Sequence, residues 1–93
     1  MAVVQVAVAP GRAEYEKIGG ILNLAENPAP GLIHHNAAEL PNGEVQIIDV
    51  WETREDAEAF GARIFEAFAQ AGVLEMVQER GGPPPVYDVF DMI

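Results

Sequence analysis

Apolar and polar positions follow two rhythms along the chain, and their order predicts the elements. Val3 to Val8 is a β-branched run stopped by Pro10-Gly11, the mark of a first strand. From Arg12 to about Glu26, Tyr15, Ile18, Leu22 and Ala25 recur at helical spacing, with Glu14, Glu16 and Lys17 off that stripe. This predicts a first helix, closed by Asn27-Pro28 and Pro30-Gly31. Residues 31 to 51 read as one β-hairpin around Pro41-Asn42-Gly43, where Asn-Gly favours a two-residue type I′ turn. Thr53, with Asp56 three residues on, resembles a capping box at the start of a second helix. Ala57, Phe60, Ile64, Phe68 and Ala71 form its apolar face, and Gly72 ends it. Residues 73 to 80 predict a short helical turn, and Gly81-Gly82-Pro83-Pro84-Pro85 a stiff, extended approach to a last strand, Val86 to Ile93.

The resulting order, βαββαβ, is that of the ferredoxin-like α+β fold: a four-stranded antiparallel sheet with two helices on one face, spanning residues 1–93 as one domain. The strands conflict with a monomer. Val4, Val6 and Val8 lie opposite Val3 and Ala7, and Val45 and Ile47 lie opposite Ile48 and Val50, so both faces are apolar while two helices cover only one. A homodimer sharing the second face is therefore expected.

Composition narrows the chemistry. Five Lys and Arg stand against fifteen Asp and Glu, a formal net charge of −10, which argues against nucleic acid and anionic membrane as partners. There is no cysteine for disulfides or thiolate ligands, and no apolar run long enough to span a bilayer. The opening residues lack a basic signal-like region, so a cytoplasmic location is the expectation. Serine is absent, and the single Thr53 has the capping role, which leaves no hydroxyl nucleophile with an obvious activator. Lys17 is the sole amine side chain, on an exposed helical stretch, and no glycine pattern matches a phosphate loop. Gly19-Gly20 in mid-helix, costing about 1 kcal/mol each against Ala, implies close helix-to-sheet approach or space for a ligand.

The polar residues without a solvent-facing reason to be where they are sit in the hairpin: His34, His35, Asn36, Asp49 and Trp51. Neighbouring histidines on a strand point to opposite faces and cannot jointly hold one ion, so no metal site is expected. A two-residue turn puts Asn36 opposite Asp49 and His34 opposite Trp51, gathering all four on one face. Imidazole, amide, carboxylate and a stacking indole there suit a planar hydroxylated ligand. A loop one residue longer puts His35 opposite Asp49 instead. His34 is the first candidate base and His35 the reserve. Asn36, Asp49, Trp51, Tyr87 and Phe60 are the candidate substrate contacts, and packing or cross-strand pairing is the competing role for each.

The stretch Pro30-Gly31-Leu32-Ile33-His34-His35, followed by the Asp49-to-Phe60 segment with its Trp51-Glu52-Thr53 junction, resembles the dimeric α/β-barrel superfamily, most closely its small antibiotic-biosynthesis-monooxygenase-type members. That resemblance implies a cofactor-independent monooxygenase acting on a small phenolic or quinol-like aromatic. Such an enzyme needs only an acid–base residue and an apolar pocket. A polyketide-type cyclase or isomerase, or a non-catalytic small-molecule-binding or stress-responsive dimer, is the alternative on the same fold. Haem-degrading members typically carry a Trp and a haem-ligating His on the second helix. The corresponding positions here are Phe60 and Ala71, so no haem and no catalytic set from that branch is expected.

Overall fold

The computed structural model describes residues 1–73 and 84–93; the expected helical turn after Gly72 and most of the Gly-Pro approach lie outside the described residues. The elements run β1 (Val3–Ala9), α1 (Arg12–Leu22), β2 (Leu32–Glu39), β3 (Val45–Trp51), α2 (Arg54–Ala71) and β4 (Val86–Asp88). All four strands form one antiparallel sheet in the order β2-β3-β1-β4, the ferredoxin-like arrangement expected from the element order. Among the described residues, no helix is long and apolar enough to cross a membrane.

Pleat and packing assign the faces. Trp51, paired with Val3 across β1–β3, packs against Phe60 of α2 with ring centroids 5.0 Å apart and planes tilted by 42°, so the even-spaced set Val3, Gln5, Ala7, Val45, Ile47, Asp49 and Trp51 faces the helices. The core is Val3, Ala29, Trp51, Ala57 and Phe60, ringed by Leu22, Leu24, Leu32, Ile64 and Val86. The opposite face carries Val4, Val6, Val8, Ile48, Val50 and Tyr87 and no helix covers it; Val6, Val8 and Tyr87 are plainly exposed.

Two element boundaries differ from those the sequence pattern predicts. Helix α1 stops at Leu22 because Asn23 takes the left-handed conformation (φ 49°) and donates its N–H to Gly19, a Schellman-like ending that Asn supports without glycine. The carbonyl of Leu22 at the end of α1, and those of Asn27 and Pro28 beyond it, accept from Arg63 of α2, so a cation covers the negative end of α1. Strand β4 pairs only from Val86 to Asp88, with Val89 N–H adding one bond to Ala2, because β1 begins at Val3 and offers no further ladder. Gly19 and Gly20 do not mark a close approach: a Cβ built at either meets nothing within 4 Å. At Gly31 the need is real, since φ is +80° and a Cβ would overlap the Asp56 carboxylate.

The junction into α2 is as expected. Thr53 Oγ1 accepts from Asp56 N–H at 3.1 Å and donates to the Asp56 carboxylate at 2.9 Å, and Gly72 (φ 74°) closes the C-terminus. Phe60 is 92 % buried by this helix against Trp51, which makes it core. Replacing Phe60 with Ala is expected to cost about 3–5 kcal/mol, and Thr53 with Ala about 1 kcal/mol, measured as shifts in urea unfolding free energy.

Candidate functional site

The hairpin turn decides which polar groups meet. Leu40 N–H bonds Glu44 O and Gly43 N–H bonds Leu40 O, so the loop is the three residues Pro41-Asn42-Gly43. Gly43 alone is left-handed (φ 88°); Asn42 is not, so the type I′ geometry is not formed. Pro41 explains the choice: its φ near −65° suits the first central position of a type I turn, and a glycine after that turn completes the three-residue hairpin. Asn42 supports it by accepting Glu44 N–H on its side-chain oxygen at 3.0 Å.

This shift of one residue corrects the two-residue register. Asn36 faces Ile48 rather than Asp49, and His34 faces Val50 rather than Trp51. A bulge between Leu32 and His34 absorbs Ile33 and restores Leu32 to the helix side, opposite Trp51. The expected four-residue cluster is therefore split between faces. His34 and Asn36 lie on the uncovered face, where the Asn36 amide donates to His34 Nε2 at 2.8 Å. Tyr87, paired with Val4, is also on that face. Trp51 is fully buried against Phe60, and its indole N–H makes no hydrogen bond, so it is a wall of the core rather than a stacking platform.

The longer-loop register brings His35 against Asp49, and a third residue joins them. His35 Nδ1 lies 2.5 Å from Asp49 Oδ1, and Tyr15 Oη lies 2.7 Å from His35 Nε2, with the two rings nearly parallel (9°). The proton positions follow from the partners. A carboxylate only accepts, so Nδ1–H donates to Asp49; neutral His35 then has a bare Nε2, which accepts from the Tyr15 hydroxyl. By apolar periodicity alone Tyr15 belongs to the helical stripe. A tyrosine on that stripe, one turn into the helix that crosses the hairpin, carries a hydroxyl that needs a partner once buried, and that is the signal it offers.

Solvent reaches 31 % of the His35 side chain and 16 % of Asp49. The hydroxyl of Tyr15 is held above its ordinary pKa of 10.0, first by desolvation and then by the negative charge of Asp49, so it stays protonated. Beside this chain of groups opens a cleft of about 280 Å³ lined by Arg12, Tyr15, Glu16, Ala37, Glu39 and Val45. Arg12 is paired to Glu16 at 2.9 Å on its rim. A second cleft of about 240 Å³, lined by Pro30, Asp56, Ala59, Phe60 and Arg63, contains none of the three residues. Among the described residues, no group of three or more metal-type side chains is placed to share an ion.

No family model matches the chain, and no curated protein matches it. Solved structures do. A Mycobacterium tuberculosis protein, Rv0793, aligns over 100 % of this chain and 97 % of its own at 15 % identity with a TM-score of 0.64. The haem-degrading protein Rv3592 of the same organism, solved haem-free, aligns over 100 % and 99 % at 17 % identity with a TM-score of 0.53. A candidate antibiotic biosynthesis monooxygenase from Chloroflexus aurantiacus aligns over 99 % and 95 % at 16 % identity with a TM-score of 0.49. At 15 % and 17 % identity, the likeness to Rv0793 and Rv3592 shows the ferredoxin-like fold alone. Phe60 and Ala71, where the haem-degrading pattern calls for Trp and His, lie in the buried face of α2 and at its last turn.

Because the folded chain keeps the Tyr15 proton to a higher pH than the unfolded chain does, the associated stability is full below about pH 10 and is lost as pH rises through the raised value. Urea midpoints followed from about pH 9 to 11 should therefore fall more steeply in the wild type than in Tyr15→Phe.

Proposed function

We propose that this chain is a cofactor-independent monooxygenase of a small phenolic or quinol-like aromatic, with His35 as the base. The observation that supports it is the Asp49–His35 pair beside an open cleft. Asp49 fixes the imidazole with Nδ1 protonated and stabilises the imidazolium that forms when Nε2 takes up a proton. That arrangement generates a substrate phenolate, and an electron-rich phenolate is itself the reductant. It passes one electron to dioxygen, the resulting radicals combine at a ring carbon, and the hydroperoxide loses water to leave a carbonyl. One oxygen atom stays in the product and the other leaves as water. All four electrons that reduce dioxygen come from the substrate, whose ring C–H and O–H become a second carbonyl and water, so the balance closes without another reductant.

The cleft supports the substrate class. Its volume lies just below the usual range for ligand pockets, about 300–1,000 Å³, which suits a compact aromatic better than an extended chain. Glu16 and Glu39 on its wall disfavour a carboxylated substrate.

The same reading includes a homodimer, supported by the uncovered valine-rich face of the sheet. An obligate interface buries about 2,000 Å² or more in total, and light scattering at micromolar concentration should give twice the chain mass. A folded monomer would remove the dimer from the proposal.

Oxygen consumption with a panel of naphthols, anthrones and quinols tests the chemistry. Wild type should consume oxygen without added cofactor, and His35→Ala should lower kcat/KM by about 10²–10⁴-fold. His34→Ala, altered on the other face, should retain activity. Conversion without oxygen would identify a cyclase or isomerase instead. Binding with no conversion under either condition would identify a binding protein.

A further inference from the structure

Both ring nitrogens of His35 are already occupied. Nδ1 donates to Asp49 and Nε2 accepts from Tyr15, so a substrate hydroxyl has no open lone pair on the imidazole to meet. Of the three groups, Tyr15 alone lines the 280 Å³ cleft. The polar chain therefore runs from solvent-accessible cleft to partly buried carboxylate with a phenol at its outer end.

Resting on the proposed role of His35 as base, we propose that Tyr15 is the group that touches the substrate and relays its proton to His35. In the step, the substrate O–H breaks as a new O–H forms on Tyr15 Oη. The original Tyr15 O–H breaks as Nε2–H forms on His35. The products are a substrate phenolate, a neutral Tyr15 and an imidazolium paired with Asp49; charge and protons balance, and no oxidant takes part. Tyr15 is neutral before and after, as suits a hydroxyl whose ionisation is opposed by its surroundings.

The geometry also imposes a positional demand. A relay through Tyr15 places the reactive hydroxyl of the ligand at the α1 side of the cleft, near Arg12 and Glu16 and away from the strand-side wall of Ala37 and Val45. The apolar body of the ligand then lies against that wall. A ligand with its hydroxyl on a ring edge and no second charged group fits this division.

The relay is tested without oxygen, so its failure is distinct from failure of the oxidation. β-Naphthol is bound to the wild-type protein at neutral pH under anaerobic conditions, and the naphtholate absorption band reports ionisation on the protein. Wild type should generate the band. Tyr15→Phe should still bind naphthol, by quenching of its fluorescence, yet form the band at least about 10²-fold more slowly, as His35→Gln should. Because Tyr15→Phe also removes a tie between α1 and β2, the wild-type rate is measured as well in mixtures of light and heavy water. Two protons moving together give a curved dependence on deuterium fraction, which a purely structural hydroxyl does not produce. Ionisation in Tyr15→Phe at the wild-type rate, a straight-line isotope dependence, or naphthol bound to wild type without ionisation would overturn the relay. Ionisation by wild type with no oxygen uptake would leave the relay standing and remove the monooxygenase reading.

Discussion

The register between β2 and β3 is the constraint on which the candidate site depends. Three residues, Pro41-Asn42-Gly43, close the hairpin, and a loop shorter by one would turn every β2 side chain to the other face relative to its partner. With three, His35 meets Asp49 under α1, while His34 and Asn36 go to the uncovered face. Gly43 is the position that permits this loop, because its φ of 88° is one that side-chain-bearing residues rarely adopt.

Much of the fold was legible because each element carried local chemistry that agreed with the global pattern. Thr53 and Gly72 mark both ends of α2, and the two-sided apolar alternation of β1 and β3 fixes their faces correctly. Legibility failed where two local signals competed. Asn42-Gly43 alone favours a two-residue turn, and Pro41 ahead of it tips the balance to a type I turn. Asn23 ended α1 earlier than Asn27-Pro28 suggested, since a left-handed Asn stops a helix as well as a proline does. The candidate site was legible in its strand residues and not in its helical one. Apolar periodicity counts Tyr15 as a core residue and ignores the hydroxyl at its tip.

Core and site are held by different physics. Trp51, Phe60, Val3 and Ala57 form an apolar cluster beneath α2, where removing area is costly. Under α1, which has no fully buried residue, the Tyr15–His35 hydrogen bond and the Lys17 ammonium on the Ala71 carbonyl supply polar ties instead. The consequence is an accessible cleft over the edge strand β2, with Tyr15, the outer end of the polar chain, on its wall. The dense half of the molecule positions the sheet, and the open half leaves room for chemistry.

Proton placement on the His35 imidazole reports register, partner and basicity together. Nitrogen NMR on protein labelled at its two histidines, His34 and His35, distinguishes the two neutral tautomers in mildly alkaline solution. His35 should be protonated on Nδ1 with a bare Nε2, and Asp49→Asn should remove this preference. A His35 protonated on Nε2, or one averaging freely between tautomers in the wild type, would contradict both the Asp49 pairing and the role of His35 as base.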